Sequence, residues 1–202
     1  IAIAATARSY VARDPALRRV VVEMTGTILL TPILDVVAGG LLLAREPQLV
    51  AVPVLLALVP PFVSQAGALG GIFASRTTSK LQIGVLTPRG LPEVPAIVDA
   101  VVVSLLAVAV FALIGVLAVA VGLATGLPGI PPFGTLVGGT LLAGILLVPV
   151  MLVLAYELAV LTFRFGLDPD NQGVPIITSV MDVAGVVAVL SVMTSLGVLP
   201  HG

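Results

Sequence analysis

LDPDNQGVPIITSVMDVAG, residues 167–185, places a carboxylate inside a long apolar run. The acidic turn Asp168, Pro169, Asp170, Asn171 leads through Gln172 and Gly173 into apolar sequence that lasts to Val198. Pro175 suits the first turn of a helix, where its missing N–H costs nothing, and Asp170 or Asn171 is placed to cap that end. About two turns further on stands Asp182. Thr178, Asp182 and Gly185 follow helical spacing, so one face presents a hydroxyl, a carboxylate and a gap. A carboxylate at the centre of a bilayer costs roughly 2.5–3.5 kcal/mol on insertion scales, and such a group is kept where something pairs with it. A cation is the obvious partner, which makes Asp182 the first candidate for function.

The bilayer follows from composition. Of 202 residues, 59% are hydrophobic and 9% charged, whereas soluble domains carry about 25% charged residues. The apolar runs are long and continuous rather than alternating, which excludes a porin-like barrel and leaves an all-α polytopic membrane protein. Cysteine is absent, so disulfides, thiolate metal sites and cysteine nucleophiles are excluded. The one histidine, His201, lies past the last apolar run. No Ser–His pair and no zinc-protease pattern exists, and an enzyme is not expected. The basic residues cluster at the ends of apolar runs, where membrane topology accounts for them, so nucleic acid is not an expected partner.

Five transmembrane helices are expected, at about residues 20–43, 48–80, 95–123, 135–163 and 174–199. Residues 1–19, with Arg8, Arg13, Arg18 and Arg19, are too basic to span and read as an amphipathic segment on the cytoplasmic membrane surface. Residues 20–200 then form the transmembrane domain. Placing the N-terminus in the cytoplasm and the C-terminus outside collects Arg8, Arg13, Arg18, Arg19, Arg76, Lys80, Arg89 and Arg164 on the inner side and leaves Arg45 alone outside. At 1.5 Å per residue, Asp182 lies roughly 12 Å from the inner end of its span, Glu157 at a similar depth, and Asp35 roughly 22 Å. No Lys or Arg stands in the middle of a span, so these acids need protons, hydrogen-bond donors or a bound cation. Gly67, Gly71 and Ser75 form a stripe of small residues four apart, which permits close approach of helix backbones.

Two stretches carry a resemblance. One holds Pro60, Pro61, Gly67, Gly70 and Gly71, then Ala74-Ser75-Arg76-Thr77. The other holds Asp168-Pro169-Asp170-Asn171, Pro175, Thr178-Ser179 and Asp182. Together they resemble the membrane domain of the MgtE magnesium transporters and their vertebrate solute-carrier relatives, over about residues 20–200. The resemblance implies a Mg²⁺ pathway lined by the second and fifth spans of two subunits, with Asp182 holding the hydrated ion. One five-helix unit per chain implies a homodimer in the plasma membrane. The first-span aspartate of the solute-carrier branch is similar to Asp35. Gly67, Thr178, Asp170, Asn171 and Glu157 complete the candidate set. Ala68 stands where the family carries asparagine, leaving Ser64, Gln65 or Asn171 to supply a polar group there. A cytoplasmic regulatory domain or partner is a further expectation from the family.

The chemistry agrees with a transported Mg²⁺. That ion prefers octahedral oxygen coordination at about 2.0–2.1 Å and gives up its water reluctantly. Two symmetry-related Asp182 carboxylates repel each other, which favours a divalent over a monovalent counter-ion. Two alternatives stand beside this reading. One is an exchanger coupled to Na⁺ or H⁺ through Asp35 or Glu157. The other is an assembly subunit whose acids only hold helices together.

Overall fold

A computed structural model describes residues 15–199. The surface segment expected at residues 1–19 lies outside these, apart from its last five residues, which already belong to the first helix. In chain order the helices are α1 (Pro15–Leu43), the short α2 (Glu46–Ala51), α3 (Val54–Gln82), α4 (Val94–Ala124), α5 (Phe133–Phe165) and α6 (Pro169–Ser195). Five of them are long and apolar enough to cross a membrane. No strand occurs among the described residues.

The first helix starts earlier than expected, at Pro15, the last ends earlier, at Ser195, and the starts of the second and fifth spans differ at prolines. The second span does not start near Gln48. Residues 46–51 form a separate short helix, and a break at Val52 and Pro53 precedes α3. The fifth span does not start near Val174. Helix α6 begins at Pro169, which takes the first-turn position assigned to Pro175, and Asp170 and Asn171 lie within its first turn rather than capping it. Pro175 is therefore interior. It has no N–H for the carbonyl of Asn171, a defect that neighbouring helices make tolerable in a membrane bundle.

Successive spanning helices run antiparallel, and the contacts name the faces. Gly67 of α3 lies against Thr178 of α6, Gly71 against Val174, and Val63 against Gly185. Here Gly67 and Gly71 of the small-residue stripe and the gap at Gly185 serve one close helix pair. At the far end of α6, Met193 and Leu196 close on Gly139 of α5. Phe111 of α4 fills the hollow at Gly144 of α5 and stacks on Phe62 of α3, ring centroids 4.6 Å apart. Helices α3, α5 and α6 thus form the centre, with α4 packed on the α3–α5 side and α1 on α6. Only 11% of the apolar window of α1 is buried, against 50% for α3 and α6, so α1 is peripheral.

A methyl at Gly144 would fall 2.1 Å from Phe111 Cδ2, closer than real atoms approach. Gly144→Ala is expected to destabilise the bundle by about 1–3 kcal/mol through overpacking. Phe111→Leu in the same chain should recover part of the loss, and thermal unfolding in detergent of the two single variants and the double variant measures that coupling.

Candidate cation site

Asp182 falls on α6 between Thr178 and Gly185, the two residues that meet Gly67 and Val63 of α3. Its level is therefore that of Ser64, which is exposed on α3 beside this contact together with Gln65 and Ala68. Because α6 starts at Pro169, Asp182 is thirteen residues in, about 20 Å along the helix and deeper than the sequence reading placed it. The carboxylate is half-buried. Asp35 of α1, exposed on its own helix, lies within electrostatic range of it. Neither acid has a basic partner among the described residues.

The remaining candidates divide. The hydroxyl of Thr178 donates to the carbonyl of Pro175 at 2.9 Å, while the methyl of the same side chain packs beside Gly67. Gly67 is buried and acts by letting α3 and α6 approach. Asn171 and Asp170 sit in the first turn of α6, about 16 Å or more from Asp182 along the helix, at the end of the bundle that holds the basic residues. Glu157 is not brought to Asp182. It lies on α5 about 12 Å from the basic end and borders a cavity between α4 and α5, on the flank opposite α1. Among the described residues no three acidic, histidine or cysteine side chains converge closely enough to hold an ion. One protomer therefore offers a pair of acids rather than a closed metal cage.

The sequence reading missed one charged constellation. Asp99 of α4 is 2% exposed and accepts from Arg76 Nη2 at 2.7 Å and Nε at 3.1 Å. Its second oxygen lies 2.6 Å from Lys80 Nζ, and that ammonium also donates to the carbonyl of Pro95 at 2.7 Å. Arg76 and Lys80 are expected from the sequence only to lie on the inner side. They occupy the last two turns of α3, one turn apart, so both reach the start of α4. Spacing four apart in a helix-compatible run, followed by a short loop and an acid, was the available signal.

The loop between α3 and α4 is tied down as well. The Tyr156 hydroxyl stands 3.1 Å from the carbonyl of Arg89 and 3.0 Å from that of Leu91, sharing its proton between them, and Arg164 Nε donates to the carbonyl of Pro88. The basic end of the bundle is thus closed by specific bonds around α3, α4 and α5. Its opposite end carries Arg45, whose guanidinium donates to Gln48.

Comparison with known proteins gives one match. The model of a family described as MgtE, divalent cation transporter, matches residues 59–192, about two thirds of the chain. No curated protein and no solved structure matches.

Proposed function

Since this chain belongs to the MgtE family of divalent cation transporters, we propose that it carries Mg²⁺ as a homodimer, through a pathway lined by α3 and α6 with Asp182 holding the hydrated ion. The observation that carries this reading is the half-buried Asp182 carboxylate beside the exposed polar stripe of α3, with Asp35 in range and no basic side chain to neutralise either among the described residues. A lone carboxylate in a bilayer is expensive. A second copy placed against the same face doubles the acids and supplies a divalent ion with the charge it needs. Mg²⁺ keeps much of its water, so two carboxylates with Thr178 and Ser64 oxygens nearby suffice without a full protein cage. Asp170 and Asn171 form the cytoplasmic mouth, and Asp35 assists Asp182 from α1. The basic end faces the cytoplasm, following the distribution of Arg and Lys, and the membrane is the plasma membrane. A regulatory domain or partner would act at its inner surface.

Dimerisation is directly testable, because the chain contains no cysteine. Ala68 is exposed on the proposed shared face of α3. Ala68→Cys should cross-link to a covalent dimer under mild oxidation in membranes, whereas Val153→Cys, on the far flank, should not. Cross-linking at Val153 and none at Ala68 would overturn the interface. Mg²⁺ flux into liposomes tests transport itself, and a requirement for an opposing Na⁺ or H⁺ gradient would mark an exchanger rather than a channel.

A further inference from the structure

A cavity of about 440 Å³ opens on the flank of the bundle away from Asp182, between α4 and α5. This is within the size range of small-ligand sites, which are mostly apolar with a few placed polar groups. Its walls are apolar: Ile97, Ala100 and Val101 from α4, and Leu152 and Val153 from α5. Its floor is the turn at Gly90, Leu91 and Pro92, which Tyr156 holds through the carbonyls of Arg89 and Leu91, so the floor is fixed before anything binds.

One charged side chain borders this slot, that of Glu157, beside the floor. It is exposed and has no basic partner among the described residues. The other charges near Tyr156 are engaged elsewhere: Glu93 accepts from the Thr87 hydroxyl, and Arg164 donates to the carbonyl of Pro88. From Ala96 to Ser104 the α4 wall leads away from Glu157 for eight residues, about 12 Å, toward the middle of the bundle. The slot is therefore a carboxylate at the interfacial end of a narrow apolar channel.

Charge and direction together select the occupant. An anionic amphiphile would set its head against Glu157. A two-chain phospholipid would set its phosphate there, because the phosphate lies between its ammonium and its chains. We propose that this cavity binds a single-chain lipophilic amine, its ammonium paired with the Glu157 carboxylate and its chain lying along Ile97, Val101 and Val153. Such an occupant would bridge α4, α5 and the loop that continues α3. Glu157, left without a task by the ion pathway, gains one here.

The test uses the purified full chain in non-ionic detergent at neutral pH, with decylamine, decanol and decanoate titrated by calorimetry. Decylamine should bind at least about tenfold tighter than decanol, as a hydrogen bond to a charged partner warrants, and decanoate weakest of the three. Glu157→Gln should bring decylamine to the level of decanol and leave decanol unchanged. Ala100→Leu, which fills the slot, should weaken all three. Val153→Trp, at a position 64% exposed, blocks the slot from the other wall without touching the core, should Ala100→Leu fold poorly. All three variants should retain the parental divalent-cation flux. The proposal is overturned if the three head groups bind equally, if amine preference survives Glu157→Gln, or if neither slot variant weakens binding. Loss of flux in Glu157→Gln would also overturn it, by placing that carboxylate in the ion pathway.

Discussion

Asp182→Asn is expected to abolish divalent-cation flux while leaving the bundle folded, as the proposed pathway requires. The substitution keeps shape and one acceptor oxygen and removes one negative charge per protomer, two in the proposed dimer. A hydrogen bond to a charged group is worth about 1.5–3 kcal/mol net, so losing two such contacts lowers ion affinity by roughly 10²–10⁴-fold. The sign of the stability change separates this reading from a structural one. Among the described residues Asp35 is the charged group that acts on Asp182, and it is of like sign. Neutralising Asp182 therefore removes a repulsion and no attraction, and thermal stability without divalent ions should stay level or rise. Stabilisation by added Mg²⁺, which follows ligand occupancy of the folded state, should vanish. Parental flux in the variant, or a marked loss of stability without ions, would remove Asp182 from the pathway. Asp35→Asn should act in the same direction with a smaller effect, since that carboxylate is exposed on the peripheral helix.

Removing both basic partners of Asp99 should cost more stability than removing Asp99 itself. Asp99 is 2% exposed, whereas the side chains of Arg76 and Lys80 are 54% and 24% exposed. Arg76→Met combined with Lys80→Met strands a carboxylate in a dry site, and breaking a buried pair from that side costs about 3–5 kcal/mol. In Asp99→Asn the guanidinium and ammonium can turn to water along their flexible stems, and the amide still accepts a hydrogen bond, so the loss should be about 1–2 kcal/mol. Replacing Asp99 by Leu in the double-Met background should restore much of the stability, because an apolar triad leaves no buried charge. Thermal unfolding of the three proteins in one detergent gives the order. Equal losses in Asp99→Asn and the double variant would mean that this site is wetter than its burial indicates. The triad ties the end of α3 to the start of α4, so the double variant should also loosen the basic end of the bundle.

What was legible in the sequence was what each residue decides with its neighbours in the chain. Long apolar runs with charges at their ends give membrane helices whatever they pack against, because a bilayer leaves the backbone no other way to satisfy its hydrogen bonds. Five spans followed from that, and so did a family resemblance resting on motifs such as that of residues 168–182. Helix ends were less legible at prolines. A proline signals a helix start in water, but in a bundle the same residue is tolerated inside, as Pro175 is in α6. Pairings between distant residues were not legible, since hydropathy carries no information about which face meets which helix. Asp35 and Asp182 stand 147 positions apart in number and come within electrostatic range only because α1 packs on α6. Asp99 has its partners because α3 carries Arg76 and Lys80 to the start of α4. Glu157 looked equivalent to Asp182 as an intramembrane acid, and the packing of α5 against α4 turned it to the opposite flank. Tertiary structure alone decides these matters, because a charge in a bilayer takes its role from whatever the neighbouring helices bring within a few ångströms of it.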